Sequence, residues 1–201
     1  MVESPVMLEG RQLRLRDWLP EDLSAYREWL KPHHEWNLWN GPYFPPHTEQ
    51  EAEAAVRRIK EQLDSGEWPE VRRRLVIADA ETNHLIGTVS WHWESEATEW
   101  PRAGITVFDP AVRGRGIGSE ALALWTDYLF GATSFRRLDF STWSGNLAMC
   151  GVGLKLGWTE EARFRDARVV RGAIYDSVVY GVTRAQWEGL HLHSDSQSAN
   201  Y

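Results

Sequence analysis

The sequence predicts a single α/β domain built on a mixed sheet, and three observations carry that prediction. The apolar pattern switches repeatedly between period two and period 3.6, so strands and helices interleave along the chain. Arg74–Ala78 and Leu85–Trp93 flank the polar turn Asp79–His84, which requires an antiparallel hairpin. Ala103–Leu124 passes from an apolar strand through the basic loop Arg113-Gly114-Arg115-Gly116-Ile117-Gly118 into a helix. A chain of 201 residues suits one domain. No internal repeat or long linker divides it, so residues 1–190 read as the domain and residues 191–201 as a polar tail.

Gln12–Arg16 alternates polar and apolar residues and predicts the first strand. Leu19-Pro20 starts a helix in which Leu23, Tyr26 and Leu30 share a face; proline is tolerated in the first turn because its missing N–H has no partner there. His33–Pro46 is an aromatic, proline-rich connection. Thr48-Glu49-Gln50-Glu51 is a capping box, and Ala52, Val56, Ile59 and Leu63 form the stripe of the helix that follows. After the hairpin, Glu94–Pro101 reads as an acidic loop. The strand of Ile105–Phe108, the glycine loop and a helix to about Phe130 come next. Arg137–Ser141 predicts a short strand, Trp143–Gly145 a loop, and Asn146–Leu156 a helix stopped by Gly157. Glu161–Arg165 and Ala173–Val182 predict two closing strands.

Bulk properties exclude several classes. The net charge of −7 argues against a nucleic-acid partner, which needs a basic surface. One cysteine, Cys150, permits no internal disulfide and suits a reducing compartment. No apolar run reaches the roughly 20 residues of a membrane span, and Met1–Gly10 lacks the pattern of a signal peptide. A cytoplasmic protein is the expectation. Twelve tryptophans are many for this length, and an aromatic-lined pocket follows as an expectation.

The glycine loop predicts phosphate binding. Glycines let backbone N–H groups approach closely, the first-turn N–H groups of the helix lack internal partners, and the dipole and two arginines add positive potential. A P-loop needs Gly-Lys-Ser/Thr after its spacer, and a Rossmann fingerprint needs G-x-G-x-x-G; neither is present.

Arg113-Gly114-Arg115-Gly116-Ile117-Gly118 resembles the R/Q-x-x-G-x-G/A signature of the GNAT superfamily of acetyl-CoA-dependent N-acetyltransferases. The resemblance extends from about Glu9 to Glu188. Leu13-Arg14-Leu15-Arg16 with Pro20-Glu21-Asp22, then Leu85-Ile86-Gly87, Asn146 and Lys155-Leu156-Gly157-Trp158 are similar to successive motifs of that family. Arg165–Arg168 and Tyr175–Gly181 resemble the closing hairpin of the branch related to RimJ and RimL, which acetylate ribosomal-protein N-termini. The resemblance implies a mostly antiparallel mixed sheet, splayed at the cofactor site and flanked by about four helices. It implies that backbone groups of Thr106, Val107 and Phe108 pair with the pantetheine arm of acetyl-CoA. The N–H groups of Arg113, Gly114, Arg115, Gly116, Ile117, Gly118 and Ser119 would hold the pyrophosphate. Asn146 matches the family asparagine that bonds the pantetheine region and equally fits a helix N-cap. Lys155 matches a frequent basic position, but a solvated surface lysine is the better account of it.

The resemblance implies transfer of an acetyl group to a primary amine by direct attack in a ternary complex. Such transfer needs a proton acceptor for the amine and a donor for the thiolate, and no covalent enzyme intermediate, so Cys150 reads as a core residue. Relatives often carry glutamate where this chain has Arg102, and some carry serine where it has Met149. Glu161, Glu94 and His92 are therefore the candidate bases, and Tyr175 a candidate donor to sulfur. Trp36, Trp39, Tyr43, Phe44 and Trp143 form the expected acceptor wall, with cation–π attraction available; Trp91, Trp93 and Trp158 read as core. His33, His34 and His47 fit no zinc spacing, and no metal is expected. The acceptor is a small amine or a protein N-terminus, and the protein a monomer or homodimer. The alternative function is a non-catalytic acyl-CoA-binding module.

Overall fold

Strands and helices follow the order that the hydrophobic period predicts. The computed structural model describes residues 5–41 and 44–190. β1 (Met7–Glu9) and β2 (Leu13–Arg16) precede α1 (Asp22–Trp29), a 3-10 helix at Glu35–Trp39 and α2 (Glu49–Ser65). β3 (Arg74–Asp79) and β4 (Leu85–Ser95) form the hairpin. β5 (Trp100–Val107) leads to α3 (Ile117–Ala132), and β6 (Arg137–Trp143) to α4 (Leu147–Lys155). β7 (Thr159–Val170) and β8 (Ala173–Thr183) close the sheet, and residues 184–190 add a helix, α5.

The strands form one sheet in the order β1-β2-β3-β4-β5-β6-β8-β7. Neighbours pair antiparallel, except that β5 and β6 are parallel and meet at the single pair Arg102↔Asp139. Beyond that pair the two strands separate, so the sheet is split from Ala103 and Phe140 onward.

Period two decides which face each side chain enters. Leu75 and Ile77 of β3 join α3 in the larger core, around Trp125, Leu122 and Phe140. Val76 and Ala78, the alternate residues, join α1 and α2 in a second core with Tyr26, Ile59 and Phe108. A strand covered on both faces has to be apolar throughout. Trp91 and Trp158 lie in the larger core with Trp93 packed against it, as their patterning predicts.

Local chemistry sets the helix ends. Both bonds of the α2 capping box form: Glu51 donates its N–H to Thr48 Oγ1 (3.3 Å), and Thr48 donates its N–H to Glu51 Oε2 (2.8 Å). The start of α1 is fixed by a buried bidentate pair, Arg16 to Asp22 (2.7 and 3.0 Å), with Leu19 N–H also donating to Asp22.

Three boundaries differ from the sequence reading. β1 is three residues long and too short for periodicity to reveal. The expected acidic loop Glu94–Pro101 shrinks to a 3-10 turn at Glu96–Thr98, because Ser95 still pairs with Trp100. β7 runs from Thr159 to Val170, past the expected Glu161–Arg165, with mostly exposed polar residues that carry no apolar signal. The expected polar tail lies outside the described residues. No described helix is long and apolar enough to cross a membrane.

Candidate active site

The glycine loop lies at the start of α3, beside the split. Gly114 and Gly116 hold left-handed conformations (φ 73° and 90°), which side chains disfavour. Gly116 is the N-cap of α3, and no side chain caps that end. The first-turn N–H groups of Ile117, Gly118 and Ser119 therefore remain available to an anion. Gly118 allows α3 and α4 to approach closely, since a methyl group there would lie 3.3 Å from Val152. Ile117 and Ser119 are buried anchors rather than exposed contacts. The ammonium of Lys155 stands 3.6 Å from where a Cβ of Gly116 would be. That placement gives a second cation to the loop, where the sequence favoured a solvated lysine.

The two arginines of the loop behave differently. Arg113 is engaged within the fold: it pairs with Glu35 (3.0 Å) and donates to Phe108 C=O (3.4 Å), which ties the 3-10 segment to the loop. Arg115 stays on the surface beside a cleft of about 920 Å³, also lined by Arg11, Trp29, Asp79 and Asp109. Along β5, Thr106 and Val107 pair with Thr88 and Gly87 on the β4 side, leaving the opposite edge open to the split. Phe108 corrects the sequence reading. Its N–H donates to Ile86 C=O (2.8 Å), and its ring packs against Tyr26, Trp29 and Trp36, so it anchors the second core. Asn146 caps α4, accepting from Met149 N–H (3.2 Å) and donating to Trp39 C=O (3.4 Å).

On the opposite face, a cleft of about 600 Å³ lies over the pair where the split begins. Its wall includes Glu94, Trp100, Arg102, Arg137, Ser141 and Glu161. Arg102 lies opposite His92 in register and alternates with Ala103, which faces the α3 core; the cleft is therefore on the other side of the sheet. A charge relay crosses it. Arg102 bonds Glu94 (2.6 Å) and Asp139 (2.7 Å); Arg137 bonds Asp139 (3.4 Å) and Glu161. Asp139 is fully buried and also accepts from the Trp100 indole N–H. A buried carboxylate persists only with such partners. Sequence reasoning missed Asp139 and Arg137, because nothing in the linear pattern places residues 102 and 139 opposite each other.

Of the four candidate catalytic groups, this cleft gathers Glu94 and Glu161. Glu161 is the extra residue of a bulge: Glu160 pairs with Tyr180 and Ala162 with Val179. Its carboxylate overlies Gly181, where any Cβ would collide with it. Register puts Glu161 level with Phe140, where the split opens; Glu94 lies beyond Trp93↔Pro101, at the closed end. His92 is exposed on the same face, outside the residues lining the cleft. Tyr175 packs edge-on against Trp143 at 4.7 Å.

The expected aromatic wall divides. Trp36 is a correction: it is buried in the second core, 5.2 Å from Phe108, with its N–H on Trp29 C=O. Trp143 is buried at the end of β6. Trp39 is 37% exposed, accepts from the Trp143 indole through its carbonyl (3.4 Å), and has the Arg171 guanidinium 6.0 Å above its ring. Phe44 is exposed, and Tyr43 lies outside the described residues.

Two other features lie apart from this cleft. Cys150 is half-buried, and burial pushes its thiol pKa up, against a nucleophilic role. Glu28, His33 and His34 converge within 4.8 Å, a grouping their spacing did not suggest. Lys31, 2.5 Å from Glu28, is the main reason that this exposed carboxylate titrates below its usual value.

A strand edge opened beside a glycine-capped helix start, with an ionisable cleft across the sheet, is the arrangement that the sequence resemblance implies. Comparison with known proteins makes this specific. Residues 12–159 match the Acetyltransferase (GNAT) domain model, so the chain belongs to the GNAT family and is an acetyl-CoA-dependent N-acetyltransferase. A Bacillus subtilis relative, the SPbeta prophage-derived uncharacterized N-acetyltransferase YokL, is 24% identical over 90% of this chain and 96% of its own. The fold is similar to a GNAT acetyltransferase from Bacillus anthracis (TM-score 0.68, 17% identity, 89% and 98% of the two chains). It is also similar to the ribosomal-protein-S5-alanine acetyltransferase of Vibrio fischeri (TM-score 0.68, 19% identity, 90% and 98%). A further similar structure is RimL, a ribosomal L7/L12 α-N-protein acetyltransferase in complex with coenzyme A (TM-score 0.66, 16% identity, 89% and 98%).

Proposed function

We propose that this chain transfers the acetyl group of acetyl-CoA to a primary amine bound in the cleft over Arg102 and Asp139. The observation that supports it most is the single-pair junction of β5 and β6, which leaves one split accessible to the phosphate loop on one face and the cleft on the other. The pyrophosphate rests on the N–H groups of Gly116–Ser119 with Lys155 beside it. The pantetheine arm follows the free edge of β5 at Val107, whose backbone groups alternate away from β4, with Thr106 beside it. The amine nitrogen attacks the thioester carbon; a C–N bond forms, the C–S bond breaks, and the sulfur leaves as thiolate. Glu161 takes the amine proton, because its bulge and Gly181 aim it to the level where the split opens. Tyr175 is the candidate donor to the thiolate.

The alternative acceptor is a protein N-terminus; RimL is named an α-N-protein acetyltransferase, and the Vibrio fischeri enzyme a ribosomal-protein-S5-alanine acetyltransferase. Release of free thiol from acetyl-CoA across a panel of small amines and N-terminal peptides tests the whole reading. Turnover with a small amine is expected; tight CoA binding with no turnover across the panel would make the chain a binding module. Glu161→Gln is expected to lower kcat about 100-fold. A variant that kept the parent's kcat would exclude Glu161 as the base.

A further inference from the structure

We infer that the accepted amine carries a carboxylate, as an amino acid does, and that Arg137 selects it; this rests on the cleft over Arg102 and Asp139 being the acceptor site. Around this cleft the guanidiniums of Arg102, Arg137 and Arg168 stand among the carboxylates of Glu94, Asp139 and Glu161. Arg102 is committed to Glu94 and Asp139, with good geometry at both (2.6 and 2.7 Å). Arg137 is not matched in the same way. One nitrogen, Nη2, is shared between Asp139 and Glu161, while its Nε is buried and meets no acceptor among the described residues. An unmatched donor on a cation is costly in a low-dielectric site, and a carboxylate is the planar acceptor that a guanidinium fits.

The surroundings hold Arg137 ready for that task. The ring of Trp100 lies 5.5 Å from its guanidinium and 5.8 Å from that of Arg102, which limits how either can turn. The ion pair of Arg137 with Glu161 sets a cation and an anion side by side. That is the mirror of an α-amino acid, whose amine and carboxylate are separated by one carbon: the amine faces Glu161 and the carboxylate faces Arg137. A cleft of about 600 Å³ suits a ligand of that size, and Phe164, Ala162 and Val179 offer apolar wall to its side chain. An extended peptide meets an obstacle. Arg171 donates to Leu38 C=O (3.5 Å), and Trp143 and Asn146 donate to Trp39 C=O (3.4 Å each), so the segment between α1 and α2 is bridged to β6, α4 and the β7–β8 turn. A chain passing between those elements would have to break these bonds.

The test uses matched pairs on the full chain with acetyl-CoA: free amino acids, their amides, their decarboxylated amines and N-terminal peptides, read by thiol release. The expected result is kcat/KM at least about tenfold higher for the acid than for its amide, the worth of one charge-assisted hydrogen bond. Arg137→Gln should bring the acid-to-amide ratio toward one, and Arg137→Lys should restore part of it. Equal rates on acid, amide and decarboxylated amine, or a preference for peptides, would overturn the inference and leave acetyl transfer intact. If no amine turns over, calorimetry with N-acetylamino acids and their amides, in the presence of coenzyme A, decides the inference separately. Tighter binding of the acids, lost in Arg137→Gln, would sustain it, and equal binding would overturn it.

Discussion

The two faces of the split are built by different means. On the α3 face the groups on offer are backbone donors, presented by two left-handed glycines and an uncapped helix start. On the other face they are side chains from four strands, Glu94 on β4, Arg102 on β5, Arg137 and Asp139 on β6 and Glu161 on β7, with Gly181 of β8 beneath Glu161. A backbone site tolerates change in most side chains and fails where the backbone itself must change. A side-chain site depends on each charge keeping its partner. The first face is suited to a ligand common to many enzymes, and the second is where one enzyme can come to differ from its relatives.

The sharpest way to break this comparison is Gly116→Asp. The substitution puts a Cβ at φ 90°, 3.6 Å from the Lys155 ammonium, and carries a negative charge beside it that would compete with the pyrophosphate. Left-handed strain alone is worth about 1–3 kcal/mol. Calorimetric Kd for coenzyme A should rise about 100-fold; an unchanged Kd would show that the loop does not hold the phosphates.

On the second face, Asp139→Ala removes the one carboxylate that Arg102, Arg137 and Trp100 share. Uncompensated buried charge costs about 3–5 kcal/mol, which for a chain of this size lowers Tm by roughly 10 °C. A loss below about 1 kcal/mol would mean that water replaces the carboxylate, and that the cleft is not held together by its charges.

The contrast also explains what was legible in the sequence. The glycine loop could be read because its function lies in a contiguous run: the positions that need left-handed backbone are glycines, and the helix follows at once. The capping box of α2 and the doubly buried β3 were legible for the same local reason. The relay could not be read, because Arg102 and Asp139 become neighbours only when β5 and β6 pair. Trp36 was misassigned to the acceptor wall because composition shows that a segment is aromatic but not which ring turns inward. Phe108 was misassigned because strand pairing, not residue type, decides which backbone N–H is already bonded. The space over Gly181 that admits the Glu161 carboxylate gave no signal in the sequence beyond a glycine inside a strand pattern.

That space gives a smaller and more specific test. Gly181→Ala adds one methyl group where the Glu161 carboxylate lies, and the clash is with the end of a flexible side chain. The fold should tolerate it, with a loss of about 1 kcal/mol or less. Activity should fall about tenfold because the carboxylate is displaced, with the fall in kcat rather than in KM for acetyl-CoA. Equal loss in Glu161→Gln and in Gly181→Ala combined with Glu161→Gln would show that glycine acts through Glu161. Additive losses would show independent roles.

The smallest effect belongs to an ion-pair group of the same residue types with little burial. Arg163 bonds Glu160 (2.7 Å) and Asp176 (2.7 Å) across the outer strands. Both carboxylates are held below their ordinary values, chiefly by the hydrogen bond to Arg163. A carboxylate whose pKa is lower in the folded state adds stability above its unfolded pKa, about 4, and that stability is lost as pH falls through the folded value. Arg163→Ala should therefore lower Tm slightly at pH 7. The difference from the parent should shrink steadily below about pH 4 and vanish once both carboxylates are protonated in the folded protein. Because water screens these groups, the loss at pH 7 should be well below that of Asp139→Ala. Comparable losses would mean that burial is not what separates the relay in the cleft from the ion pairs at the sheet edge.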